Sequence, residues 1–546
     1  MSDPTRRTVL RTAAVSAVSA AATGAATAGA AGPPSTSAAA ETRTARPSPA
    51  ELVLAPGDPR YEAFAARGYN RRFSGHPRRI HLPTTTAQVV HAVQEAVRRR
   101  RHVVARSGGH GFEDFVDNDT VRVVVDLSRM TAVRYDDDRG AFMVEAGCGL
   151  GAAYRDLYVG WGVTLPAGWC TDVGLGGHVP GGGYGTLCRL HGLSVDRLYA
   201  VEVVVVDRAG RARAVVATRE EDDPNRDLWW AHTGGGGGSF GVVTRFWFRD
   251  LPEPPRSVLS FRAEWSWKDL DRDAFTRLVD AYGAWAERNS APGSRAARLY
   301  SELLLNRAAA GSVVLFGQVA DTGSSARRVL DDQLAALGAG VAARPVVQTH
   351  TLSWLTAASV IGSPDVPGPL YRLAVKSAYA DRALTRRQVR AVHHHLTRTD
   401  YTYPAGIVSL NTYGGQVNAV PSHATATAHR GSVLKVMFLT GWERAAEDEQ
   451  HRGFLRALYR DVYADTGGVP ARTGAFINYA DADLADPRHN TSGTPWHTLY
   501  HGANYPALQR AKARWDPRNV FHHRLSVRAP SPSAPAAPGD PQVRAL

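Results

Sequence analysis

Apolar and polar positions along the chain follow two rhythms, and the change from one to the other divides it. LPTTTAQVVHAVQEAV (82–97) sets Val89, Val90, Val93 and Val97 on one helical face, with Thr85 and Gln88 placed to form a capping box. HVVA (102–105), VRVVVDL (121–127) and FMVEAG (142–147) are short apolar runs that predict strands, and LGAAYRDLYVG (150–160) predicts a helix. YAVEVVVVD (199–207) reads as a buried strand that Ala209-Gly210 turns into RARAVV, and GVVTRFWF (241–248) adds another. LPEPP (251–255) ends this texture. Beyond it LSFRAEW (259–265), LYSELLLN (299–306) and SVVLFGQVAD (312–321) predict longer strands separated by long helices. Near residue 471 short segments return, with FINY (476–479) expected as a strand. The predicted class is α+β.

Glycine is spread just as unevenly. RSGGHGFEDF (106–115) runs two glycines into His110. GWCTDVGLGGHVPGGGYG (168–185) has eight glycines in eighteen positions, with Cys170 near its start, and five consecutive glycines occupy 234–238. A chain that gives up side chains this often lets another group approach its backbone, and bare N–H groups in such turns make anion-binding nests. Three such loops, at 106–111, 174–185 and 234–241, predict one large phosphate-bearing ligand wrapped by backbone. A Rossmann fingerprint competes, because GLGGHVPGGG has the glycine density and Asp196 follows it. Its context fails: no strand leads directly into Gly174, no amphipathic helix starts after the loop, and Asp207 lies too far on.

Composition narrows the class. The 546 residues suit two or three domains, and 44% apolar with 21% charged residues is ordinary for a soluble globular chain. The net charge of +13 is mostly arginine scattered through amphipathic segments, and RRRR (98–101) closes a helical pattern, so a nucleic-acid surface is not expected. HHH (393–395) is expected as a solvated helix face, with no metal bound. TRRTVLR (5–11) sets a twin arginine before a weakly apolar, alanine-rich run, which predicts a twin-arginine signal peptide and disordered spacer over 1–50 of a bacterial exported protein. That run is too rich in alanine and glycine for a membrane anchor. Cys148, Cys170 and Cys188 show neither a disulfide framework nor zinc spacing. The odd count leaves one thiol to explain, and Cys170 lies where the glycines are densest.

RSGGHGFEDF, the cysteine loop and DLWWAHTGGGGGSFGVVTRF (227–246) together resemble the vanillyl-alcohol-oxidase, or PCMH-type, flavin-binding domain. More narrowly they are similar to the berberine bridge enzyme-like oxidases, in the wording of the aclacinomycin oxidoreductase and glucooligosaccharide oxidase groups. YGGQVNAV (413–420), NYADADL (478–484) and YHGANYPALQRAKARWDPRNVF (500–521) extend the resemblance over roughly 60–530. It implies a two-part FAD-binding domain, 60–255 completed by a berberine-bridge-type segment at 471–528, and a substrate domain at 256–470 with an antiparallel sheet backed by helices. Residues 529–546 are expected as a disordered tail.

The resemblance also implies the chemistry. His110 would bond the flavin 8α-methyl and Cys170 flavin C6, so the FAD would be doubly attached. Arg106, Ser107, Gly108, Gly109 and Gly111 would line the pyrophosphate turn. Gly174, Gly177, His178, Gly182, Gly183 and Tyr184 would follow the flavin and its phosphates, with Gly238 and Val242 on the adenosine side. Val173 falls where the family gates oxygen, and its small size implies an oxidase. Tyr479 and Tyr413 are the candidate bases. A phenol titrates near ~10, so a neighbouring cation, His178 or Arg430, is expected to assist. Phe476 departs from relatives that carry another tyrosine there. Trp229, Trp230, Trp265 and Trp354 are candidate platforms for substrate rings. The implied function is an exported oxidase that takes an alcohol or adjacent C–H of a polyketide, glycoside or oligosaccharide, transfers hydride to flavin N5, and returns the electrons to O2 as hydrogen peroxide. Lactone formation on oligosaccharides and sequestration of a drug without turnover are the alternatives. The residues name no substrate, because specificity lies in substrate-domain side chains that follow no code.

Overall fold

The computed structural model describes residues 51–360 and 372–530. The expected signal segment and all but the first two residues of the expected C-terminal tail lie outside the described residues.

Among the described residues sixteen strands form three sheets in chain order. The first holds β1 (Leu52–Leu54), β2 (Arg79–Leu82), β3 (Val103–Arg106) and β4 (Val123–Asp126), ordered β1-β2-β4-β3 and parallel except for β1. The second holds β5 (Val133–Asp136), β6 (Ala141–Glu145), β7 (Leu198–Val206), β8 (Ala212–Thr218) and β9 (Val242–Phe248), antiparallel and ordered β5-β6-β9-β7-β8. β7 is buried at all nine positions, which is why it reads as a continuous apolar run. The helix Thr86–Arg98 packs against it, started by Thr85, whose Oγ1 accepts from Gln88 N at 3.3 Å. The reciprocal bond goes one residue earlier than a capping box requires, from Thr84 N to Gln88 Oε1 at 2.7 Å.

The third sheet is the largest: β10 (Ser257–Ser266), β11 (Leu299–Asn306), β12 (Ser312–Val319), β13 (Val346–Ser353), β14 (Arg372–Ala380), β15 (Gly406–Thr412) and β16 (Leu434–Trp442). It is antiparallel, in the order β13-β10-β12-β11-β15-β16-β14. Period-two alternation sends Phe261, Trp265, Leu303, Leu305, Leu315, Val408 and Phe438 to one side. There they share a core with the helices Arg272–Arg288, Gly323–Gly338, Arg386–Thr397 and Asp448–Val462. The opposite face carries the polar set, with Gln348, Arg262, Phe316, Glu302, Asn411, Lys435 and Tyr379 as direct cross-strand neighbours, one from each strand.

Three expectations change. FINY is a turn and not a strand: Tyr479 N returns to Phe476 O at 2.9 Å, and the Asn478 side chain donates to His178 O at 2.9 Å. The tertiary partner at His178 outweighs the local β-propensity. HHH is not a solvated face, since only His394 is exposed. His395 is buried against Asp461 at 2.8 Å, and His393 packs on Phe275. Among the described residues no histidine, cysteine or carboxylate cluster could hold a metal. Trp229, Trp265 and Trp354 are 6%, 1% and 3% exposed and belong to the cores, so they are not platforms; Trp230 is half-buried and donates to His423 O.

Candidate active site

The three glycine loops meet. A Cβ on Gly108 would come within 2.4 Å of Gly174 N, and one on Gly174 within 2.0 Å of Ser107 Oγ, so the first and second loops touch through bare backbone. Gly236 N donates to Pro180 O at 2.9 Å and joins the third loop to the second. The C-terminal segment locks the third loop: Lys512 Nζ, fully buried, donates to Ser239 O, Phe521 O and Asp516, each at 2.7 Å. His523 lies 3.1 Å from Gly237 O.

Other glycines face open space. Gly177 has nothing within 4 Å of a built Cβ, Gly237 only Gly176 O at 3.9 Å, and Gly111 only Glu113 O at 3.7 Å. Among the described residues the N–H groups of Gly108, Gly109, His110 and Gly111 donate to no protein acceptor. Successive free amides beside open backbone are the donor set that a pyrophosphate requires. The residues present therefore fit an FAD.

Placement of the remaining predicted residues is uneven. The Arg106 guanidinium is buried and committed to Asp126 at 2.9 Å and Asp117 at 3.3 Å, which leaves only its backbone to the turn. Ser107 Oγ donates to Ala146 O at 2.6 Å. Gly182 and Gly183 take φ of 110° and 70°, a region that favours glycine, and Gly238, also at positive φ, packs on His523. Val242 is buried in β9, and Val173 is half-buried beside Cys170, its N–H on Cys170 O at 3.3 Å.

His110 and Cys170 differ from their like. His110 stacks on Tyr69 at 4.5 Å, and burial lowers its pKa and favours the neutral imidazole. All three cysteines are free; the Cys148 and Cys188 thiols donate to backbone carbonyls, whereas the Cys170 thiol has no hydrogen-bond partner among the described residues. Burial pushes the Cys170 thiol up to about 11, and Glu302 and Asp172 push the same way. The Asp172 charge also acts on His110.

Across from Cys170 stands a buried polar cluster on the large sheet. Lys435, 3% exposed, donates to Tyr479 Oη at 3.1 Å. Its Nζ lies 4.4, 4.8 and 5.0 Å from the ring centres of Tyr479, Tyr184 and Phe476. Burial lowers the ammonium to about 8, opposed by Glu302. Glu302 accepts from Tyr300 Oη at 2.9 Å and from the Ser409 hydroxyl. Burial first, then Glu302 and Cys170, push the Tyr479 phenol above its ordinary range. Phe476 supplies a ring face to Lys435.

The expected cations are not the ones beside Tyr479. His178 is pushed down to about 4 by burial and accepts from Gly168 N at 3.1 Å, so it is neutral. Arg430 is bound to Asp196 at 2.6 Å. Tyr413 is 1% exposed and sits behind Tyr184, ring centres 5.0 Å apart, while Tyr184 Oη donates to Thr412 O. Sequence reading missed Lys435 and Glu302. Each sits in a strand whose alternation marks it as facing away from the core, but only the tertiary structure sets Lys435 on Tyr479 and brings the Glu302 charge to act on its phenol.

Residues 77–212 match the family described as FAD binding domain, and 475–528 the family described as berberine and berberine like. The chain is 48% identical over 488 residues to aclacinomycin-N/aclacinomycin-A oxidase of Streptomyces galilaeus, covering 87% of this chain and 89% of that one. The crystal structure of aclacinomycin oxidoreductase superposes with a TM-score of 0.86 at 48% identity, covering 88% of this chain and all of the other. That of a glycopeptide hexose oxidase complexed with teicoplanin does so at 0.83 and 46%, over 88% and 99%. With matching families at both ends of the chain, near-half identity over most of its length and glycine loops shaped for a dinucleotide, the chain belongs to the berberine bridge-like family of FAD-dependent oxidoreductases.

Proposed function

We propose that the protein is an exported oxidase with FAD attached through both His110 and Cys170, acting on an alcohol of a secondary metabolite or glycoside and reoxidised by O2. The observation that carries the attachment is the pair itself. An imidazole that burial holds toward its neutral form and a thiol without a hydrogen-bond partner stand in the glycine loops, both feel the Asp172 charge, and the backbone at Gly111 and Gly177 beside them is open. Every other cysteine is used by the fold. The names of the relatives, an aclacinomycin oxidase and a glycopeptide hexose oxidase, support a secondary metabolite or glycoside as substrate.

When bound, FAD supplies the two-electron acceptor for a substrate C–H. The chain supplies the proton path. The substrate hydroxyl gives its proton to Tyr479 Oη as Tyr479 hands its own to Lys435 Nζ, 3.1 Å away. The relay needs a neutral amine, and burial of Lys435, to about 8, brings that form within working range. Glu302 and Ser409 orient the hydroxyl from the sheet side. Tyr413, packed behind Tyr184, buttresses this wall in the same reading. Val173, small and next to Cys170, leaves O2 a way in.

Acid-precipitated protein is expected to stay yellow. His110→Ala and Cys170→Ala each keep flavin through the other bond, and the double variant releases it. Free FAD from precipitated wild type would refute the attachment without touching the fold. The Arg6-Arg7 pair supports export, so a precursor with both arginines changed to lysine should stay in the cytoplasm. Unchanged appearance of mature protein outside would show that the pair is incidental.

A further inference from the structure

We infer that β13, the free edge of the large sheet, pairs antiparallel with β13 of a second copy of this chain, about a two-fold axis at Thr349. Strands β10 and β12 separate β13 from β11, which carries Glu302. The pairing is therefore independent of which substrate the enzyme takes.

The two edges of the sheet are treated differently. At the β14 edge the fold uses the outward backbone. Leu373 N donates to Asn70 Oδ1 at 2.9 Å, Tyr379 N to Gly474 O at 2.9 Å, and Ser377 O accepts from Tyr459 Oη at 2.7 Å. At the β13 edge nothing comparable occurs. Trp354 N donates to Arg256 O at 3.2 Å, and the register runs without a shift from Ser353 opposite Ser257 to Val346 opposite Glu264. Val346, Gln348, His350 and Leu352 therefore turn their backbone groups to β10, and Val347, Thr349 and Thr351 turn theirs outward. Among the described residues these outward groups have no hydrogen-bond partner. The usual protections of an edge are missing too: VVQTHTLS is eight residues long and holds no lysine, arginine, carboxylate, proline or bulge. Val346 and Val347 are 68% and 40% exposed, consecutive members of the small set of large apolar side chains that stand in solvent.

The strand is complementary to itself, which names a second copy as its occupant. With Thr349 on the axis, Thr349 meets Thr349, Val347 meets Thr351, Val346 meets Leu352 and Gln348 meets His350. Apolar residues then face apolar or β-branched ones, amide faces imidazole, and no like charges are opposed. The same register sets the outward groups of Val347, Thr349 and Thr351 against one another, so the ladder bonds form. The next pair would be Pro345 with Ser353, where the proline has no N–H and the ladder ends. Moving the axis to His350 would set Val346 against Trp354, whose side chain belongs to the core. A two-fold pairing of this kind uses up the edge in both copies, and the occupied β14 edge offers no place for a third, so assembly stops at a dimer. The axis stands perpendicular to the sheet, so the two seven-stranded sheets become one with both open faces on the same side.

The test is sedimentation velocity of the purified holoenzyme over a hundredfold range of concentration. The wild type should pass reversibly from monomer to dimer. Thr349→Lys and Thr349→Glu each set two like charges opposite one another on the axis, and each alone should weaken dimerisation at least about tenfold. An equimolar mixture of the two should dimerise again, because the opposed charges are then unlike; misfolded protein could not give this rescue. Thr349→Val, which keeps the shape of the side chain and the backbone ladder, should dimerise like wild type. Flavin-to-protein ratio should be the same in all of them. A wild type that stays monomeric throughout overturns the inference, whether the edge is then bare or serves another partner. So does a dimer that Thr349→Lys and Thr349→Glu leave within twofold of wild type, or a mixture that stays monomeric.

Discussion

Lys435 is the side chain on which the proposed proton path turns, and its immediate sequence, SVLKVMF, marks it only as a charge within a strand. Buried at 3% exposure, it has Tyr479 as hydrogen-bond partner and Glu302 as neighbouring charge. Tyr479→Phe removes one oxygen and keeps the ring, so flavin content should survive while anaerobic flavin reduction slows at least ~10²-fold, or ~2.7 kcal/mol of barrier. The pH dependence follows from the lysine. Below about 8 the amine is protonated and cannot accept, so the wild-type reduction rate should climb with pH and level off above that value. Lys435→Met should be slow and should lose this rise. If its profile parallels that of wild type, the acceptor is another group, and Glu302 is the next carboxyl to replace.

At the scale of elements, the glycine loops do two jobs that the sequence could not separate. Gly108 and Gly174 are glycines because the loops touch each other; Gly177 is a glycine beside open space. Gly174→Ala drives a methyl into Ser107 and Gly108, whose backbone cannot retreat, and should yield little folded protein. Gly177→Val should fold with a melting temperature close to that of the wild-type apoprotein but lose most of its flavin. Flavin-to-protein ratio and thermal melting, measured on the same samples, separate the two effects. Full flavin loading in Gly177→Val would show that the ligand does not pass there. The turn at FINY teaches the same lesson. Its apolar and aromatic residues suit a strand, yet Asn478 finds His178 O, and that long-range bond fixes Tyr479 beside Lys435.

Across the whole molecule, Arg189 ties distant segments together. It is 1% exposed and donates to the carbonyls of Asn289, Ala296, Leu299 and Tyr413, all from the region of the large sheet, while its own helix, Cys188–His191, follows the second glycine loop. Arg189→Met fills similar space but leaves four acceptors unpaired, three of them buried, so a loss of ~3–5 kcal/mol is expected. Chemical denaturation followed by flavin and tryptophan signals should show both falling earlier and together; a flavin signal that stays put while tryptophan shifts would mean the two regions unfold independently. Much of this architecture was legible beforehand. Helical and two-residue periodicities located Thr86–Arg98, β7, β9 and β11 nearly to the residue, because those elements bury one face or both against a core and must repeat accordingly. Glycine density located the dinucleotide loops, since close backbone approach excludes side chains there. What the sequence by itself determined was the family and the class of fold, and it named His110, Cys170 and Tyr479 as candidates. Only the tertiary structure decided which charge stands beside Tyr479 and which tryptophans are core. Those are matters of tertiary contact and strand register, and register is set by pairing between residues as far apart as Glu302 and Asn411, for which no local pattern exists.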